Sequence, residues 1–275
     1  MRLVAYAALV AVFLVLDAYP SVAAERSEAT DSYGSRARQE LDVYRNTSNS
    51  SQPRIAILHG GYWYENSGWA TWSRYFADQG CAVSSIDYRL NFDAAWPTPR
   101  TDAISAIDWI RGNVPQFNLD PDRLVVLGSS AGGRIATSLA TYGVGGGRVS
   151  EGVALSPVAS PYQACNDGNH DTSTAEQRKV RDSATVLARC FPDSTDTGTS
   201  LHAAYGTAMY LIHSEGDFVP MQHSLDLEEA EEVGHCMPAD GVTDETVAGS
   251  RAHGDALLDI PGMPDKILAW IEADL

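Results

Sequence analysis

Three residue types, spaced far apart in this chain, could together carry out acyl-transfer chemistry. Ser130 stands in Gly128-Ser129-Ser130-Ala131-Gly132, directly after the apolar run Leu124-Val125-Val126-Leu127. A serine between glycines at this spacing suits a sharp strand-to-helix turn, because strained backbone passing close to its neighbours needs flanking residues without bulk. Such a turn presents the hydroxyl at the end of a sheet, where it could act as a nucleophile. Residues 133–142 can follow as a helix, whose free first amides and dipole would face negative charge developing near Ser130. An ordinary Gly/Ser turn has the same appearance, so the rest of the chain must decide.

An activated serine needs a base within hydrogen-bond reach and an acid that orients the base. Where these groups sit at the C-terminal ends of parallel strands, they can follow in the order serine, acid, histidine. Asp217 fits the acid position, in the loop Ser214-Glu215-Gly216-Asp217-Phe218-Val219-Pro220 that leaves the apolar strand Tyr210-Leu211-Ile212-His213. A turn aspartate after glycine is the plain alternative, and Glu215 is the fallback acid. His253, in Ser250-Arg251-Ala252-His253-Gly254, is the base candidate after Asp217, since His223 falls at a helix start and His235 precedes a Cys-Met-Pro turn. Upstream, Arg54-Ile55-Ala56-Ile57-Leu58 runs into His59-Gly60-Gly61-Tyr62-Trp63, where glycines can bring backbone amides close to a ligand.

These groups need a scaffold. Strands are expected at 41–45, at the edge of the sheet, and at 54–58, 81–90, 124–127, 152–158 and 208–213, with helices at 68–79, 102–114, 133–142, 225–233 and 264–275. Strands alternating with helices of this length imply βαβ units: an α/β fold with a mostly parallel sheet and helices on both faces. Trp69, Trp72, Tyr75 and Phe76 lie on one side of their helix and read as core. Residues 25–38 are polar and expected to be loosely held. Residues 160–205 break the rhythm, being rich in Ser, Thr, Asp and Asn, and read as a lid-like insertion in a single domain spanning 25–275.

Composition narrows the partners. Arg2, the apolar run 3–16 and Ser21-Val22-Ala23-Ala24 have the layout of a secretory signal peptide at 1–24, cut near Ala24. Its apolar stretch, about 14 residues, is short of the ~20 that span a bilayer, so stable membrane insertion is not expected. The net charge is -17 and the only lysines are Lys179 and Lys266, which argues against nucleic acid as a partner. The four cysteines, Cys81, Cys165, Cys190 and Cys236, can oxidise in an exported chain. Cys165 and Cys190 share the polar insertion and are the favoured pair, whereas Cys81 opens a strand and reads as a buried free thiol. No Cys/His spacing resembles a zinc site. Asn46-Thr47-Ser48 and Asn49-Ser50-Ser51 are sequons.

His59-Gly60-Gly61-Tyr62-Trp63, Gly128-Ser129-Ser130-Ala131-Gly132, the 213–220 loop and His253-Gly254 together resemble the α/β-hydrolase esterase/lipase superfamily. The similarity is to hormone-sensitive-lipase-like carboxylesterases and the feruloyl/acetyl-xylan esterase group. Leu41-Asp42-Val43-Tyr44, Asp87-Tyr88-Arg89-Leu90 and Asp120-Pro121-Asp122-Arg123 match framework segments of that group. The resemblance implies Ser130 as nucleophile, His253 as base, Asp217 as orienting acid, and the amides of Gly61, Tyr62 and Ala131 as an oxyanion hole. It implies no metal or organic cofactor and a small-molecule or polymer-linked ester as substrate, with short-chain or plant-cell-wall esters favoured. Trp63, Tyr64 and the 160–205 insertion are the expected contributors to the acyl pocket. Tyr62 departs from the third glycine of lipase-like members, and the His-Gly-Gly-Tyr-Trp form also resembles arylformamidases. A formamide hydrolase and a non-catalytic hydrolase-fold binding protein are therefore the rival readings. Oligomeric state is not legible.

Overall fold

The structure, a computed structural model, describes residues 26–46, 52–113, 119–141, 147–189, 207–233 and 241–273. The expected signal peptide, Cys190, Cys236, His235 and the sequon at Asn49 lie outside the described residues. The strands are β1 (Arg26–Ser32), β2 (Glu40–Asn46), β3 (Gln52–Leu58), β4 (Ala82–Ile86), β5 (Leu119–Ser129), β6 (Glu151–Leu155), β7 (Ala208–Ser214) and β8 (Val242–Val247). They form one sheet in the order β1-β2-β4-β3-β5-β6-β7-β8. All neighbours from β4 to β8 are parallel, and β1 and β2 are antiparallel additions on the β4 side.

The central strands are apolar runs rather than alternating ones because both of their faces are covered. On one face Ile55, Ile57, Val125 and Leu127 pack with Trp69 and with Phe76 of α1 (Ala70–Asp78), and with Ile267 and Ile271 of α7 (Met263–Ala273). On the other, Ala56, Leu58 and Val126 meet Ala103 and Ile107 of α2 (Thr98–Gly112) and Ile135 and Leu139 of α3 (Ala131–Thr141). Leu227 of α6 (Gln222–Val233) joins Ala140, Met209 and Leu211 on the side of β6 and β7. Parallel neighbours require crossovers, so every parallel strand ends at the same edge of the sheet. That shared edge is where Ser130, Asp217 and the turn after β3 are collected.

The structure corrects two expectations. Residues 26–32 form an edge strand, where a loosely held segment was expected, so β2 is the second strand and not the edge. Main-chain pairing with β2 holds β1, reinforced by Thr30 Oγ1 donating to Asp42 at 2.6 Å and by a two-bond Arg74–Glu28 pair at 2.8 and 2.9 Å. A polar edge strand shows no apolar pattern because it buries little. The same reason hid β8, whose residues alternate between half-buried and exposed.

The first half of the 160–205 insertion is helical: α4 (Pro161–Asp167) and α5 (Ala175–Ala188). Ser160 caps α4, accepting from Gln163 N, with Pro161 in the first turn. Thr174 and Gln177 close α5 with a reciprocal capping box, and Val180, Ala184 and Leu187 supply the buried stripe. Cys165 is disulfide-bonded, with its partner sulfur outside the described residues. Cys81 is free and buried as expected, and burial, followed by Glu272, pushes its thiol up to about 12. The thiolate, which is the reactive form, is therefore suppressed.

Asp244 on β8 has its carboxyl pushed up to about 7, by burial first and then by Glu228 of α6. Its folded-state pKa exceeds the unfolded value, so the folded chain holds this proton more tightly. Stability contributed by the protonated form is present in the ordinary carboxylate range and is lost as pH rises toward 7. Thermal midpoints measured from pH 4.5 to 8 should therefore fall less steeply for Asp244→Asn than for the wild type, with the variant the more stable near pH 7.5.

Candidate active site

Ser130 follows β5 with φ 52, a left-handed conformation rare outside glycine. Its amide donates to Leu155 O at 2.8 Å, and its carbonyl accepts from Val158 N at 3.2 Å. The glycines around it are required by contact. A Cβ on Gly128 would lie 2.4 Å from Gly132 O, and one on Gly132 would lie 2.1 Å from Leu58 O and 2.4 Å from His59 O. The first turn of α3 thus presses directly against the end of β3. This juxtaposes Ala131 with the turn beginning at His59, and a Cβ on Gly60 would lie 3.4 Å from Ser130 Cβ.

That turn is curled by three successive positive φ angles, Gly61 at 106, Tyr62 at 57 and Trp63 at 58. The amides of Tyr64 and Glu65 both return to Gly61 O, at 2.8 and 3.1 Å. Among the described residues, the amides of Gly61, Tyr62 and Ala131 donate to no protein acceptor. Buried His59 braces the turn. Its ring stacks on Tyr88 with centroids 4.1 Å apart, its Nδ1 donates to Gly60 O at 2.7 Å, and the Tyr88 hydroxyl donates to His59 O at 2.6 Å.

Asp217 and His253 meet beside this turn. His253 Nδ1 lies 2.8 Å from Asp217 Oδ1, which also accepts from Val219 N at 2.9 Å. The carboxylate is buried, while the imidazole is 20% exposed. The residue after His253 touches the serine turn: a Cβ on Gly254 would lie 2.4 Å from Ser129 Oγ and 3.8 Å from Ser130 Cβ. Glu215, the fallback acid, is exposed and accepts from Gly249 N at 2.8 Å, so Asp217 alone of the two pairs with His253. Behind the pair, His213 Nε2 lies 2.8 Å from Ser224 Oγ and its Nδ1 faces Asp217 Oδ2 at 4.0 Å. Burial pushes the His213 imidazole down to about 4 against the opposing pull of Asp217, so it is neutral at ordinary pH.

Aromatic rings wall the site. Phe218 lies over the His253 ring at 3.9 Å, and the Tyr62 ring runs nearly parallel to Phe218 at 6.4 Å. Lys179 of α5 places its ammonium 3.8 Å from the Tyr62 ring centre, with Glu65 Oε1 at 4.0 Å. Burial raises the Tyr62 hydroxyl, with Glu176, Glu65 and Asp217 adding to the effect. The insertion therefore reaches the candidate site through α5.

Of the two residues expected to contact a pocket, Trp63 is turned away from it. Trp63 is fully buried in the core, and Tyr64 is exposed beside Phe92 with ring centres 6.2 Å apart. The left-handed turn swings Trp63 inward, which residue type alone could not show. Phe218 and Lys179 were missed as lining residues. Phe218 could have been suspected from its place next to Asp217, whereas nothing in the local sequence brings Lys179 to Tyr62.

The sheet order, the left-handed serine after β5 and the buried acid after β7 define the α/β-hydrolase fold. Comparison with solved structures agrees. Esterase B from Lactobacillus rhamnosis, in a C6-C4 SN3 inhibited form, superposes with a TM-score of 0.73 at 20% identity, over 90% of this chain and 87% of that one. One of two fungal esterases from Rhizomucor miehei gives 0.71 at 21% identity, over 91% and 84%. The BD-FAE family model matches residues 41–147, which run from β2 to just beyond α3. Esterase LipC of Mycobacterium tuberculosis is 37% identical over 110 residues, 38% of this chain and 27% of that protein. The arylesterase of Saccharolobus solfataricus is 33% identical over 104 residues, 36% of this chain and 34% of that protein. The matched part thus spans about a quarter to a third of the length of these two curated relatives. Among the described residues no helix is long and apolar enough to cross a membrane.

Gly132→Ala tests the contact that sets the elbow. The added methyl would overlap two backbone oxygens that have no flexible side chain to yield, so a loss of about 1–3 kcal/mol or more is expected in denaturant unfolding.

Proposed function

We propose that this protein is a serine carboxylesterase that works through an acyl-enzyme, with Ser130 as nucleophile, His253 as general base and acid, and Asp217 as the orienting acid. One observation carries the reading: the buried Asp217 carboxylate holds His253 Nδ1 at 2.8 Å, while the next residue packs against the Ser129-Ser130 turn. Asp217 keeps the Nδ1 proton in place, which leaves Nε2 to accept the proton of Ser130 as its Oγ attacks the ester carbonyl. The oxyanion forms beside the amides of Gly61, Tyr62 and Ala131, donors already in place before charge develops. His253 then protonates the leaving alcohol, and water activated by the same imidazole releases the acid. The ring of Phe218 against His253 restricts water on that side.

The esterase names of the relatives support the reaction class, and short-chain or plant-cell-wall esters remain the favoured substrates. Export is part of the proposal, supported by the layout of residues 1–24 and by the disulfide at Cys165, since such bonds persist in oxidising compartments. N-terminal sequencing of protein recovered from culture medium should begin near Glu25; recovery only inside cells with residues 1–24 intact would refute it.

A para-nitrophenyl ester series from acetate to palmitate, with an aryl formamide alongside, tests the activity. Short esters should turn over, Ser130→Ala should abolish turnover, and Asp217→Asn should lower kcat by about 10⁴-fold. Faster cleavage of the formamide than of a matched aryl ester would move the assignment to an arylformamidase. A folded protein that cleaves nothing and resists a fluorophosphonate probe would point to a binding protein instead.

A further inference from the structure

The segment carrying His253 is held by hydroxyls from three neighbouring strands. Ser214, the last residue of β7, donates to Ala252 O at 2.6 Å. Ser156, the residue after β6, accepts from Gly254 N at 3.0 Å. Ser129, the last residue of β5, packs against Gly254, where an added Cβ would lie 2.4 Å from its Oγ. Because β5, β6 and β7 are adjacent and parallel, their C-terminal ends stand side by side, and residues 252–255 cross all three.

All three serines are at most 2% exposed. Burying a hydroxyl is unfavourable unless it is hydrogen-bonded, and Ser156 and Ser214 find their partners in the same four-residue segment that Ser129 packs against. Ser156 has a further peculiarity. Its φ is 48, and its amide donates to Ile212 O at 2.7 Å, so it shares with Ser130 a left-handed turn at the end of a central strand. Glycine would take that backbone without strain. A serine kept there supplies an acceptor that glycine lacks. Conformational strain of this kind persists where the surroundings over-determine it, and at functional sites it can serve the mechanism.

The Asp217 contact fixes one nitrogen of the His253 ring and leaves the position of its backbone to other contacts. Proton transfer requires the imidazole to be held within about 0.5 Å of its productive place. The bonds to Ala252 O and Gly254 N bracket His253 on both sides, and Ser129 closes against Gly254. We propose that Ser129, Ser156 and Ser214 form a hydroxyl clamp, a set of positioning residues that holds the His253 backbone at working distance from Ser130. The clamp rests on the assignment of Ser130 and His253 made under the proposed function. None of the three serines touches the reacting atoms in this scheme; each acts through the histidine.

The test measures kcat and KM on a short para-nitrophenyl ester for Ser156→Gly, Ser214→Ala, Ser214→Thr and the triple variant Ser129→Ala/Ser156→Gly/Ser214→Ala, with thermal midpoints for each. Single deletions should lower kcat roughly three- to tenfold with KM within about twofold, the scale of one lost hydrogen bond. The triple variant should lose about 100-fold or more by the same scale. Ser214→Thr, which keeps the hydroxyl, should recover most of the activity lost in Ser214→Ala. Ser156→Gly is the sharpest arm because it deletes the hydroxyl while relieving the backbone, so kcat should fall without a matching fall in thermal midpoint. Ile110→Val, a core change on α2 away from the loop, gives the effect of reduced stability alone and should leave kcat near wild type. A folded triple variant with kcat within twofold of wild type overturns the clamp, as does a kcat loss that follows the thermal midpoint across the whole set. If Ser130→Ala itself keeps wild-type activity, the nucleophile assignment fails and the clamp fails with it; an inactive Ser130→Ala beside unaffected clamp variants sinks the clamp alone.

Discussion

The carbonyl oxygens of Leu58 and His59 stand where any side chain on Gly132 would have to be. From that backbone-to-backbone contact the arrangement of the sheet edge follows. It presses the start of α3 against the end of β3, and the chain can make the turn only with Ser130 in a left-handed conformation. The same approach brings Ala131 beside the turn at His59, so that two distant parts of the chain meet at one place. Close packing turns a small change at one of these glycines into a displacement of the whole edge, because no cavity is available to absorb it.

Around this fixed point the protein distributes its polar groups unevenly. The chain is strongly acidic, yet the carboxylate that meets the histidine is buried: Asp217 is held by the His253 ring and the amide of Val219. Neutral His213 lies behind it without adding a competing charge. Two rings cover the pair, Phe218 against His253 and Tyr62 beside Phe218, with the ammonium of Lys179 over Tyr62. Lowering the local dielectric strengthens the attraction between Asp217 and an imidazolium, so the aromatic cover and the acid act together. The helical insertion belongs to this arrangement because α5 provides Lys179.

Legibility in the sequence depended on how much apolar surface an element buries. The central strands at Ile55 to Leu58 and at Leu124 to Leu127 announce themselves because both faces are covered and the residues are apolar without interruption. β1 and β8 do not, since an edge strand is held by main-chain bonds that any residue but proline can make. The helices of the insertion carried their own signals, the serine cap with Pro161 and the Thr174 and Gln177 box, but the polar composition around them masked a buried stripe of only a few residues. Trp63 shows the opposite error: an aromatic residue beside a glycine turn suggests a pocket, yet the backbone direction at that turn sends it into the core.

By itself the sequence determined the local requirements: glycines where backbone must touch backbone, apolar runs where both faces are covered, and a serine, an acid and a histidine in a definite order along the chain. Those are properties of a residue and its nearest neighbours, so they can be read from types and spacing. Tertiary structure alone decided that Asp217 rather than Glu215 meets His253, that Lys179 reaches Tyr62, and that Ser129, Ser156 and Ser214 converge on one loop. These pairings depend on which strand ends stand side by side and on the direction in which each loop leaves the sheet. That is a consequence of packing the whole domain, and no short stretch of the chain encodes it.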